Sequence, residues 1–269
     1  MILVNGESAT AIDARDRGLA YGDGVFRTLK CRAGVPLWWC DQFDTLRRDC
    51  IALALPVPDG DTLRDEVGRV ADGADCAVKI LVTRGSGVRG YAPPVGNPAT
   101  RIVMASALPP MAQAGTPTDV TARLCSLRLA AQPRLAGIKH LNRLENVLAR
   151  AEWNDPGCFE GLLCDAGGQL VGGTQSNLFW LAGNTLCTPP LDDCGITGVT
   201  RARLLRRAAR LGLGIRYERC QPAAILAADE VLIGNSLIGI RRLARIDDAI
   251  LSDAGWRTRL DELVHEETD

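Results

Sequence analysis

One stretch of the chain governs how the rest can fold. Residues 109–119, PPMAQAGTPTD, are rich in Pro, Gly, Ala and Thr and show no apolar periodicity. Such a segment offers neither a helix face nor a strand face to a core. Strand-like and helix-like patterns lie on both sides of it, so two cores are expected, and 269 residues suffice for two modest domains. The division expected is a small N-terminal α/β domain over 1–110, a linker over 111–119 and a larger C-terminal α/β domain over 120–269 that carries Lys139.

In the first part, MILVNG reads as a short strand ending in the hairpin pair Asn5-Gly6. GVFRTLKCRAGVPL alternates and breaks at Ala33-Gly34, again like a hairpin. Phe43, Leu46, Cys50 and Leu53 recur at helical spacing over 40–54. Buried strands are expected at 76–84 and 100–107, with the Gly/Pro-rich loop GSGVRGYAPPVGNP between them.

The second part predicts strands at 120–127, 160–165, 176–181, 185–188, 214–219 and 229–234. Asn142 and Glu145 resemble an N-cap and N3 pair. Leu141, Leu144, Leu148 and Ala151 follow at spacings of three and four, so a helix is expected from Asn142. A second helix over 199–211 would turn Arg201, Arg203, Arg206, Arg207 and Arg210 outward. Short and terminal helices are expected at 222–227 and 253–265. Strand clusters with separate helices make the fold class α+β, without a regular βαβ wind.

Composition narrows the function. A net charge of −1 gives no electrostatic basis for a nucleic-acid or membrane-surface partner. Apolar runs are too short for a membrane-spanning helix. The opening MILVNGESAT lacks the basic and long apolar regions of a secretory signal. Ten Cys occur with no CxxC spacing, mostly inside apolar runs, which points to small hydrophobes in a reducing cytoplasm and to no metal site. The two His, His140 and His265, suggest no triad.

Of 31 basic residues only three are Lys: Lys30, Lys79 and Lys139. A chain so biased to Arg has two readings for Lys139 in GIKHLNRLENVLAR: a surface charge, or an amine kept because it can lose its proton and attack a carbonyl. GITGVTRARLL (195–205) is either an ordinary capped helix start or a phosphate site. TRGSGVRGY (83–91) is either a solvated loop or a carboxylate clamp built on Arg84 and Arg89. GDGVF (22–26) and QSNLFW (175–180) are mute alone.

Their order and spacing together are not mute. RGLAYGDGVFRTL, TRGSGVRGY, LAGIKHLNRLENVLAR, SNLFW, GITGVTR and IGNSLIGI resemble the fold type IV pyridoxal-phosphate family, which includes the branched-chain and D-amino acid aminotransferases. The resemblance covers about residues 2–245. LAGIKHLNRLE and RGSGVRGY are most similar to its 4-amino-4-deoxychorismate lyase branch.

The resemblance implies a two-domain architecture with the site in the cleft, and a homodimer in which the second subunit's loop closes it. It implies that Lys139 forms the Schiff base with pyridoxal 5'-phosphate. Val199, Thr200, Ser236 and Asn177 would contribute to cofactor binding, and Arg84, Arg89 and Tyr91 would face the substrate. The implied activity is β-elimination of the enolpyruvyl group, giving 4-aminobenzoate and pyruvate, a step of folate biosynthesis.

Two positions depart from the family pattern. The Glu usually found five residues before the Asn of SNLF, paired to the pyridine nitrogen, is Gly172 here. The Arg usually found ahead of a Leu in the helix after the second hairpin, on the cofactor phosphate, is Thr45. A transaminase depends on a strong electron sink, so Gly172 counts against aminotransferase activity more than against the lyase, whose product gains an aromatic ring. Two other readings stay open: Lys139 acting as base without cofactor, or a non-catalytic homologue.

Overall fold

The computed structural model describes residues 1–266. It divides into two compact units: Met1–Gln113 with Ile138–Asn142, and Ala114–Gly137 with Arg143–Asp269. The first crossover falls inside the Pro/Gly-rich stretch. Lys139 packs with the first unit, although the sequence reading placed it on the second domain. The cause is local: Ile138–Asn142 runs back along a strand of the first unit.

That unit is built from β1 (Ile2–Val4), β2 (Glu7–Ser8), α1 (Arg17–Tyr21), β3 (Gly24–Arg32), β4 (Val35–Pro36), α2 (Trp39–Ala52), α3 (Gly60–Ala71), β5 (Cys76–Thr83) and β6 (Thr100–Ala107). Its six strands are ordered β2-β1-β6-β5-β3-β4 and pair antiparallel. Asn5 and Ala33 take positive φ at the two hairpins, as the turn residues predict. One face of β3 (Val25, Leu29, Cys31) joins Leu46 and Cys50 of α2 and Leu63 and Val67 of α3 in the core. Burial of each large side chain there is worth about 1.5–3 kcal/mol.

The sequence reading made no assignment over α3, which is amphipathic through Leu63, Val67 and Val70. Asp59 caps it by accepting from Thr62 N at 2.8 Å.

The second unit holds β7 (Asp119–Leu129), α4 (Leu144–Arg150), β8 (Glu160–Asp165), β9 (Leu170–Gly173), β10 (Asn177–Ala182), β11 (Thr185–Thr188), α5 (Val199–Arg207), β12 (Gly214–Tyr217), α6 (Pro222–Ile225), β13 (Glu230–Asn235), β14 (Gly239–Ile246), β15 (Ala249–Ile250) and α7 (Trp256–His265). Its sheet runs β12-β11-β10-β13-β14-β7-β8-β9, with β15 on β14. Parallel pairs (β11 with β12, β14 with β7, β7 with β8) mix with antiparallel ones, in keeping with α+β.

Three local expectations are corrected. Arg201, Arg203 and Arg207 of α5 are buried, not exposed. The helix lies against β13 and α7, and its guanidinium groups serve carbonyls there. Arg201 Nη2 donates to Pro189 O at 2.8 Å and Arg203 Nε to Val264 O at 2.9 Å. Next, the expected capping box is absent. Arg143 occupies the cap position and its side chain makes no capping bond; Asn142 Nδ2 donates to Gly22 O and Glu145 Oε1 accepts from Ala130 N. Finally, Leu144 and Leu148 are exposed rather than inward, together with Val147.

Candidate functional site

Lys139 is held as a strand would be held. Phe26 N donates to Lys139 O and Leu141 N to Gly24 O, both at 2.9 Å, with a bridge between Val25 and His140. The approach is close enough that Gly24 has to lack a side chain: a Cβ there would lie 2.7 Å from Leu141 Cδ1 and 2.6 Å from Val82 O. Lys139 N donates to Asp49 Oδ2 at 3.1 Å. Nζ sits 4.4 Å from the centre of the Phe26 ring, a cation–π contact. A Lys in such surroundings is of the kind that can act as nucleophile or base.

Asp49 is fully buried and pairs with buried Arg27 of β3. Burial works against the charge on Arg27, and the Asp49 carboxylate opposes that loss. Thr45, one turn before Asp49, returns its hydroxyl to Asp41 O at 2.8 Å. Arg47 reaches Asp44, and Arg48 reaches Asp49 Oδ1 at 3.0 Å.

Of the substrate-facing residues expected from sequence, Arg84 is already engaged. It pairs with Asp23 and donates to Leu53 O and Ala54 O at 2.8 and 2.7 Å. Arg17, 4% exposed, shares Asp23 and donates to the carbonyls of Gly90 and Tyr91. Arg17, Asp23 and Arg84 thus brace the loop between β5 and β6. Arg89 and Tyr91 stand exposed on that loop, with the Tyr91 ring 5.5 Å from that of Tyr21.

The second unit gathers the residues expected around a phosphate. Asn177 Nδ2 donates to Ile196 O at 2.8 Å. Gly198, which caps α5, packs directly on Asn177 Oδ1, where a Cβ would collide. No side chain caps α5 and its first turn holds no acid. Its leading N–H groups and positive end therefore suit an anion. Thr200 is 1% exposed, and its hydroxyl has no hydrogen-bond partner among the described residues. A buried hydroxyl so placed at a helix start can donate to an acceptor-rich group such as phosphate. Thr200 lies against Gly234, two residues before Ser236 in the tight turn between β13 and β14. Asn235 steadies that turn by accepting from Leu237 N and Ile238 N and by donating to Gln175 O.

Position 172 offers no carboxylate. Glu160, fully buried on β8, instead organises the neighbouring turn. It accepts from the hydroxyls of Thr174 and Ser176 and from the N–H groups of Gly161 and Thr174. Burial pushes its carboxyl up, and these donors oppose the rise.

Sequence reasoning missed Glu160, Asp49, Arg27, Arg17 and Asp23. Glu160 had a signal, being one charge in the apolar run FEGLLC. So had Asp49, an acid three residues after Leu46 on the inward side of α2.

The arrangement matches known proteins. The fold is that of the fold type IV enzymes. Residues 24–246 match the family described as Amino-transferase class IV, and the chain belongs to that family. It is 32% identical over 248 residues to the aminodeoxychorismate lyase of Vibrio harveyi, covering 91% of each chain. It is 28% identical to a putative branched-chain-amino-acid aminotransferase of Methanocaldococcus jannaschii, covering 94% of this chain and 90% of that one. The crystal structure of 4-amino-4-deoxychorismate lyase from Pseudomonas aeruginosa is similar over 100% of both chains, with TM-score 0.91 and 40% identity. Escherichia coli branched-chain amino acid aminotransferase shares the fold at TM-score 0.84 and 22% identity, over 97% of this chain and 92% of that one.

Proposed function

We propose that the chain is an aminodeoxychorismate lyase that uses pyridoxal 5'-phosphate and converts 4-amino-4-deoxychorismate to 4-aminobenzoate and pyruvate. The observation that carries the reading is the full-length likeness, at 40% identity, to a lyase of that name. The lack of a carboxylate at Gly172 favours the lyase over an aminotransferase.

The donor set fits the cofactor at its phosphate end. Val199 and Thr200 at the head of α5, with Ser236 in the adjoining turn, would hold the phosphate, and Asn177 would fix the Gly198 cap beside it. Lys139 would be the attachment point. When bound, pyridoxal phosphate supplies an electron sink for the pair released at the amine-bearing carbon.

The chain's own residues carry the proton. Lys139 removes it from the amine-bearing ring carbon. The bond from the ring to the enolpyruvyl oxygen breaks and the ring becomes aromatic. Lys139 returns the proton to the methylene carbon of the departing enolpyruvate, which becomes pyruvate. Aromatisation makes this elimination strongly downhill, so a weakened sink at Gly172 matters little. Arg89 and Tyr91, exposed on the braced loop, would meet the substrate's carboxylates, while Arg84 holds the loop.

The same reading implies a cytoplasmic homodimer. No helix among the described residues is long and apolar enough to cross a membrane. Leu144, Val147 and Leu148 expose one apolar face of α4, which a second copy would cover.

The test is to supply aminodeoxychorismate to the purified protein, with and without added pyridoxal phosphate, and to follow both products and the cofactor absorption. Equal release of pyruvate and 4-aminobenzoate, with borohydride fixing the cofactor on Lys139, is expected. Amino transfer to a 2-oxo acid without pyruvate overturns the lyase reading. Release with no cofactor signal leaves Lys139 as the base on its own.

A further inference from the structure

Thr45 of α2 turns its hydroxyl back into the helix, onto Asp41 O. One turn later on the same face stands Asp49. A cation reaches this face from the neighbouring strand: Arg27 of β3, 3% exposed and paired with Asp49. Asp49 also accepts from the backbone N–H of Lys139. Arg48 holds its other oxygen from the outer side.

We infer that Asp49, paired with and oriented by Arg27, is the positioning residue for Lys139. The main-chain bonds of Lys139 and Leu141 to β3 fix the segment's height along the strand. The bond to Asp49 anchors the lysine itself from the side of α2, with Nζ over the Phe26 ring. A charged acceptor suits the task, since its hydrogen bond is stronger than one to a neutral group. For its catalytic consequence the inference rests on the lyase reading, but the placement of Lys139 does not.

Single substitutions would leave one buried charge without its partner and could fail to fold. Two double variants avoid this. Arg27→Met with Asp49→Asn removes both charges and keeps an oxygen to accept from Lys139 N. Arg27→Met with Asp49→Leu removes both charges and the acceptor. Both fill the same space with no unpaired buried charge, since Arg48, which also loses Asp49, is half exposed to water.

The measurements are the melting temperature, the amide hydrogen exchange of Lys139 resolved by fragmentation mass spectrometry, and kcat and KM with aminodeoxychorismate. Exchange needs neither cofactor nor substrate. The expected result is similar melting for the two variants, with Lys139 exchanging about tenfold faster or more in the Leu variant. The Leu variant should also show a lower kcat at little-changed KM, which a merely structural role would not produce. Equal exchange at Lys139 in the two variants overturns the inference. So does faster exchange with an equal kcat. Faster exchange in the Leu variant of a chain whose wild type releases no pyruvate overturns the lyase reading and leaves the placement of Lys139 standing.

Discussion

Arg84 and Asp23 form a two-armed ion pair, Nε to Oδ2 at 2.8 Å and Nη2 to Oδ1 at 3.0 Å. Arg17 Nε reaches the same Oδ2 at 2.9 Å. One carboxylate thus ties the helix entering β3 to the loop leaving β5. Burial alone would raise the Asp23 carboxyl, but the hydrogen bonds from Arg84 and then Arg17 outweigh it and hold it below the usual carboxylate range. A depressed folded value stabilises the fold above the unfolded value of about 3.9 and is lost as pH falls through the folded one. Arg84→Met should therefore cost about 1–3 kcal/mol near pH 7, Arg17 staying on the carboxylate. Urea midpoints taken between pH 6 and pH 3 should draw closer to those of the wild type at the acid end, the remaining gap being the lost bonds to Leu53 O and Ala54 O.

Arg89 makes the opposite case. It stands exposed on the braced loop, so Arg89→Ala should leave stability within about 0.5 kcal/mol. If it meets a substrate carboxylate, the same change removes a charge-assisted hydrogen bond worth about 1.5–3 kcal/mol, which is about tenfold or more in KM. Steady-state kinetics beside a melting curve checks both halves. A fall in stability with unchanged KM would assign Arg89 to the loop's architecture instead.

Lys139→Arg tests chemistry apart from charge. Arg can keep a cation over Phe26 but holds its proton at any accessible pH. The expected result is loss of pyruvate release by about 10³-fold or more, with a melting temperature close to that of the wild type. Lys139→Ala should match it in activity. Full activity in either variant would remove Lys139 from the reaction.

How much of this was legible in the sequence follows from what each residue answers to. Hairpins at Asn5-Gly6 and Ala33-Gly34, the α2 face and six strands of the larger sheet are local matters, set by turn chemistry and periodicity, and they stood where the pattern put them, whereas β9, β14 and β15 had no assignment. Lys139 drew attention through its rarity and the motif around it. The failures are tertiary. Arg201 and Arg203 look like a solvated helix face until α7 and Pro189 present carbonyls to them. Asn142 looks like a cap until Gly22, 120 residues away, offers its oxygen. The pairing of Arg84 with Asp23 is likewise absent from any local pattern. Polar groups choose partners that periodicity does not record.

Thr200 offers the sharpest test of the phosphate site. Its hydroxyl is buried beside the first turn of α5 and has no partner among the described residues. Thr200→Val keeps the shape and deletes the unsatisfied group, so the protein without cofactor should be as stable as the wild type or more stable by about 1 kcal/mol. Were the hydroxyl merely a packing element, cofactor affinity would not change. If it donates to the phosphate, pyridoxal phosphate should bind about tenfold more weakly to the variant. Pyridoxal, which lacks the phosphate, should bind both proteins equally. Titration of the two compounds by absorbance, alongside melting curves without either, separates these outcomes. Equal loss of affinity for both compounds would mean that the substitution disturbed the helix start and that the phosphate does not meet Thr200.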